Sequence, residues 1–264
     1  MSDVKLVNIS TLGLGGNLIE INKTSDCIYV IDSNASILVK EGINASFMDT
    51  LKNSNVYLTI EKNAVVNYLV LDSVKTNRVF DVFGELQMTE IILNETNESL
   101  RVNLELENAV CNISCLSIAS QMKNNFVQYV SHNKPLTFSN IKNVGVAMNG
   151  SKIVFDTTGK IEKGMAKSKC AQLSRGIVMD DNSVVTAKPI LLIDEYDCFA
   201  NHGASIGKMS DEDLFYLMSR GITKKDAFLL ILKGIIHPFI ESIKIDEIKE
   251  RIEKEVSNLI EKWF

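Results

Sequence analysis

The chain of 264 residues is long enough for one large domain or two small ones, with a sizeable buried core. Its composition, 45% hydrophobic and 23% charged, is not that of a disordered chain. A net charge of −5, from 28 basic and 33 acidic residues, offers no basic face for a phosphate backbone, so nucleic acid is not an expected partner.

Five cysteines, Cys27, Cys111, Cys115, Cys170 and Cys198, follow no regular framework, which fits a reducing, cytoplasmic setting. The opening Met-Ser-Asp-Val-Lys lacks the charged-then-apolar order of a signal segment. The most apolar stretch, Ala227 to Ile243, is interrupted by Lys233, His237 and Pro238 and falls short of the ~20 apolar residues of a membrane span. No membrane association is expected.

From Leu18 to about Phe199 the chain alternates short β-branched runs with polar turns. The runs are Cys27-Ile-Tyr-Val-Ile, Ser36-Ile-Leu-Val, Val56-Tyr-Leu-Thr-Ile, Val65 to Leu71, Leu100 to Leu106, Phe126 to Val130, Lys152-Ile-Val-Phe and Ile190-Leu-Leu-Ile. Turn clusters such as Asp32-Ser-Asn and Asn94-Glu-Thr-Asn-Glu-Ser carry side chains that bond their own backbone. A sandwich, a barrel and a solenoid all satisfy this pattern. The abundance of Asn before residue 183 favours stacked coils, although no strict period is visible.

After residue 209 the period becomes helical. Ser210 with Asp213 resembles a capping box, Leu214, Leu217 and Met218 share a face, and Gly221 fits a left-handed C-terminal cap. Thr223 caps a second helix through Phe228, Leu229, Leu232 and Ile235 or Ile236, expected to stop near His237-Pro238 because proline cannot continue it. A third begins at Asp246 with Ile248, Ile252, Val256, Leu259, Ile260 and Trp263 on one stripe. The expected division is a β core over 1–207 and a helical unit over 208–264.

Gly203-Ala-Ser205-Ile-Gly207 matches the G-x-S-x-G nucleophile elbow, so a β-solenoid hydrolase using Ser205 is an alternative reading. Its acid and base would have to be Asp226 or Asp246 with His237, an awkward fit inside an apolar helix end. Gly203 to Ser210 also approaches a phosphate-binding loop, but the glycine spacing is one short and Met209 follows Lys208, so no nucleotide is expected to bind. Cys198 and His202, four apart, pair a soft thiolate with an imidazole suited to iron or zinc. The segment supplies no two further ligands, and ordinary packing for Cys198 with a turn bond for His202 is the simpler reading of the residues alone. Cys111 and Cys115 would share one buried strand face, and His132, before Asn133-Lys134-Pro135, would sit in a turn.

The unit Asn201-His-Gly-Ala-Ser-Ile-Gly-Lys-Met-Ser-Asp-Glu-Asp-Leu-Phe-Tyr-Leu-Met-Ser-Arg-Gly-Ile222 resembles the H-G-A-T-x-G…L-F-Y-L-x-S-R-G-I signature of the SufB/SufD family, scaffold proteins of the SUF iron–sulfur cluster assembly system. Ser131-His-Asn, Lys152 to Asp156, Ile161 to Gly164 and Thr186 to Ile190 extend the likeness over roughly 125–239. The resemblance implies a right-handed parallel β-helix followed by a C-terminal helical unit, and a non-catalytic scaffold that binds no nucleotide itself. It implies that the helices dock a SufC-type ABC ATPase through Phe215, Tyr216, Arg220 and Phe228. It further implies that the β-helix pairs with a SufB-type or identical chain, and that a transient iron–sulfur cluster forms at that interface, with His202 and Cys198 as ligands. The cysteine of SufB-type members falls at Ser183, and their glutamate after the histidine is Gly203, so the chain resembles SufD-type members more. The cysteine those members place two residues before the histidine is Ala200 here, with Cys198 displaced by two. The absence of an N-terminal helical segment suggests a minimal version. A purely structural pairing role is the remaining alternative.

Overall fold

A computed structural model describes residues 5–12 and 18–263, with the side chain of Ser54 left out. Met1 to Val4, where the chain's opening was read, lie outside the described residues. Strands numbered in chain order form two sheets in which every pairing is parallel. The odd strands build one: β1 (Leu6–Asn8), β3 (Ile28–Ile31), β5 (Asn44–Asp49), β7 (Val65–Leu71), β9 (Glu85–Ile92), β11 (Val110–Ser120), β13 (Phe138–Met148), β15 (Lys169–Val178) and β17 (Phe199–Gly207). The even strands build the other: β2 (Ile19–Ile21), β4 (Ala35–Val39), β6 (Asn53–Ile60), β8 (Lys75–Val82), β10 (Thr96–Leu104), β12 (Lys123–His132), β14 (Lys152–Ile161) and β16 (Val184–Ile193). The chain therefore switches sheet at every strand and returns one rung further on, as a parallel β-helix does.

The rungs lengthen along the chain. Ile28 pairs with Ser46, 18 residues on, whereas Ile141 pairs with Gln172, 31 on, and Ile153 with Val185, 32 on. A repeat that drifts this far shows no fixed period in the sequence. Corners are turned by residues in the left-handed region, among them Asn63 (φ 59°), Asn108 (φ 65°) and Asn149 (φ 57°), a conformation asparagine tolerates better than most. These corners account for three of the asparagines that crowd the sequence before residue 183.

Alternate side chains point into the lumen, where they stack in register. Tyr29, Phe47 and Tyr68 form one column with ring centroids 5.5 and 6.1 Å apart, and Phe80 joins Tyr68 at 5.0 Å from the opposite sheet. Phe126 stacks on Phe155 at 5.1 Å. Each such pair contributes about 0.5–1.5 kcal/mol beyond its burial. One charged cluster is sealed in the same space. Fully buried Arg78 donates from Nε to Asp49 (2.9 Å) and from Nη1 to Glu98 (3.1 Å), and Tyr68 donates to Asp49 (2.8 Å).

Helices α1 (Asp211–Ser219), α2 (Lys224–Glu241) and α3 (Asp246–Glu261) follow. Ser210 accepts from Asp213 N and Thr223 from Asp226 N, the two expected caps, and Gly221 takes φ 88° after α1. Helix α2 does not stop at Pro238 but runs through it to Glu241. Phe239 and Ile240, both buried, hold the last turn against the sheet, which offsets the one hydrogen bond that proline cannot make. The helices are not a free-standing unit. Ala227, Phe228, Leu232, Ile236 and Phe239 share a second core with Leu116, Ile118, Val144, Val146 and Met148 on the outer face of the nine-stranded sheet.

Candidate functional site

The last rung of the β-helix is formed by β16 and β17, and each ends its sheet with one edge unpaired. On β17 the lumen-facing positions follow from register: Cys170 pairs with Ala200, Gln172 with His202 and Ser174 with Ala204. Cys170, Gln172 and Ser174 are buried, while the residues stacked beneath them lack a further rung, so His202 and Ala204 are exposed. His202 thus presents an imidazole at the open mouth of the lumen rather than in a turn. Directly above it, Gln172 donates from Nε2 to the Ile190 carbonyl (3.3 Å), and its Oε1 is buried without a partner.

Cys198 lies just before β17, half-buried, with Sγ donating to the Glu195 carbonyl at 3.1 Å. Burial, followed by the charges of Glu195 and Asp197, pushes its thiol up. Among the described residues no three His, Cys, Asp or Glu ligand atoms within 4.8 Å of one another include Cys198 or His202. Cys198 and His202 therefore lie four residues apart along one open edge.

Behind the mouth runs a column the sequence reading did not connect. Cys111, Ser139, Cys170 and Ala200 are successive partners in the nine-stranded sheet. His132, the last residue of β12 and fully buried, bonds Thr137 Oγ1 through Nδ1 and Ser139 Oγ through Nε2, each at 2.8 Å. It is therefore a lumen residue and not a turn residue. The turn begins one position later, and burial holds its pKa down at about 4. A methyl group added at Gly159 would overlap Cys170 Sγ, so glycine there makes the space for this thiol. The alternation Cys170, Gln172, Ser174 along one strand was the available signal. Cys111 and Cys115 do share one buried strand face, as expected. Ser183 is buried and accepts from Gly150 N (3.0 Å) while donating to Asp180 (2.9 Å), a turn-fixing role.

Ser205 lies inside β17, paired with Arg175, and its φ is not positive. The sharp strand-to-helix turn that makes a nucleophile elbow is absent at this serine. On the helices, Phe215 (74% exposed) and Tyr216 (58%) project outward, and the Arg220 guanidinium sits 5.4 Å from the Tyr216 ring centroid. Phe228 is buried and stacks on Trp263 at 5.3 Å. No helix of the described residues is long and apolar enough to cross a membrane.

The family described as "SUF system FeS cluster assembly, SufBD core domain" matches residues 20–235. The iron–sulfur cluster assembly protein SufD of Bacillus subtilis is 35% identical over 128 residues, covering 48% of this chain and 29% of that protein. A SufBD family protein of Staphylococcus epidermidis is 26% identical over 237 residues, covering 83% of this chain and 50% of that protein. One from Pyrococcus horikoshii is 37% identical over 117 residues, 42% of this chain and 25% of its own length. The chain spans half or less of the length of these curated relatives. With its parallel β-helix, its C-terminal helices and a family match over most of its length, the chain belongs to the SufB/SufD family of iron–sulfur cluster assembly proteins.

Proposed function

We propose that the chain is a non-catalytic scaffold subunit that builds an iron–sulfur cluster at the open mouth of its β-helix. The observation that carries this reading is the unpaired last rung, where His202 stands exposed in an otherwise buried lumen column with Cys198 just ahead of the same strand. Iron takes thiolate and imidazole ligands held on rigid backbone. The cluster is cargo, held while it grows and then released. The two missing ligands and the covering edge come from a second β-helix, either a SufB-type chain or an identical one. The C-terminal helical unit, 208–264, docks an ABC ATPase of the SufC type, with Phe215, Tyr216 and Arg220 at the contact and Phe228 supporting them from the core. ATP hydrolysis in that partner shifts the pair between states of different affinity for the cluster.

The test is reconstitution of the cluster on the paired scaffold with Cys198→Ser and His202→Ala combined. The expected result is loss of cluster yield with an unchanged circular dichroism spectrum. An undiminished yield would leave the chain as a purely structural pairing partner.

A further inference from the structure

His237, Glu241 and Glu253 converge within the C-terminal helices. Their ligand atoms lie within 4.8 Å of one another and all three side chains are exposed. His237 and Glu241 are one turn apart on α2, a spacing that puts both on the same helix face, and His237 Nε2 is 3.5 Å from Glu241 Oε1. Glu253 arrives from α3. His237 and Glu253 border a cleft of ≈ 410 Å³ between the two helices, floored by Ile236, Ile240 and Val256. An ordinary surface ion network explains part of this: Lys249 donates to Glu241 Oε1 at 2.6 Å and holds that carboxyl below its usual range. It does not account for Glu253, whose carboxylate lies within 4.8 Å of the His237 and Glu241 ligand atoms.

We propose that His237, Glu241 and Glu253 form a binding site for a divalent first-row transition metal of the zinc type, which clasps α2 to α3. One imidazole and two carboxylates carry two negative charges, matching a divalent cation, and the mixed nitrogen and oxygen set suits zinc or ferrous iron over magnesium, which keeps its water and avoids imidazole. Ligand bonds of about 2.0–2.2 Å set neighbouring donors about 3.4 Å apart, so the cluster must contract by roughly an ångström. Exposed side chains on two helices make that adjustment by rotation. Three protein ligands leave the fourth position to water. The site stands independently of the scaffold reading.

The experiment titrates ZnCl2 into the purified full chain by calorimetry, with Cys27→Ser and Cys198→Ser introduced so that accessible thiols do not compete. One equivalent is expected to bind, at least tenfold more weakly in His237→Gln and in Glu253→Gln, and undisturbed by excess magnesium. Cobalt(II) in the same protein should show d–d bands without thiolate charge transfer. No uptake, uptake undiminished in both variants, or a thiolate band would each overturn the proposal. Because all three residues are exposed, the variants are expected to keep the circular dichroism of the parent.

Discussion

Glu90 illustrates how single buried groups set the response of this protein to pH. Burial, with the nearby Glu98 charge, pushes its carboxyl from an ordinary 4.5 up to about 8, and its Oε1 has no hydrogen-bond partner. Between those values the folded chain holds a proton that the unfolded chain has lost, so stability falls as pH rises from 4.5 to 8. His132 acts in the opposite sense: with its pKa lowered from 6.5 to about 4, it contributes stability above pH 6.5 that is lost as pH falls toward 4. The two slopes oppose each other from about 4.5 to 6.5, and only that of Glu90 continues above. Glu90→Gln, which keeps the shape and removes the titration, is expected to flatten the decline in urea midpoint between pH 6.5 and 8. An unchanged slope would place the proton elsewhere. Neither residue was legible from sequence, because Glu90 sits in a run that alternates like any strand, and what seals it comes from strands 8 to 25 residues away in the chain: Arg78, Glu98 and Cys115.

Among the elements, α1 has a distinctive balance. It buries Leu214 but leaves Phe215 and Tyr216 largely in water, on a helix of only nine residues that packs on α2. Aromatic side chains exposed side by side next to an arginine have the composition of binding hot spots. Phe215→Ala with Tyr216→Ala is expected to reduce capture of a SufC-type ATPase by tenfold or more in a pull-down with the full chain, while thermal stability changes little; retained capture would move the contact off α1. Deleting the helices is a poorer test, because it would strip Val144, Val146 and Met148 of their cover. The caps, the short β-branched runs and the stripe of α3 were readable because each is a local pattern of three to seven residues. The continuation of α2 past Pro238 was not readable, since the burial of Phe239 and Ile240 that sustains it is supplied by the sheet. That sheet shows the same packing from its own side: Cys115 to Ala119 is buried at every position, as in a strand covered on both faces.

At the scale of the molecule, many short strands and asparagine-rich turns left a sandwich, a barrel and a solenoid open, and the parallel β-helix was an expectation of the family resemblance, because the register that decides among them is announced by no fixed repeat. The growing rung length explains why. It also gives the two ends of the β-helix different edges. The first described strands, β1 and β2, have 3 residues each, whereas β16 has 10 and β17 has 9, an edge about 30 Å long. Under the proposed pairing, Ala204→Lys on the exposed mouth is expected to shift the chain toward the monomer in sedimentation velocity, and an unshifted distribution would place the pairing surface elsewhere. Solenoids whose ends match can add copies head to tail without limit. Under the proposed pairing two wide mouths of equal edge meet, and each closes the other's open end, so the pair offers no further edge there for a third copy to join.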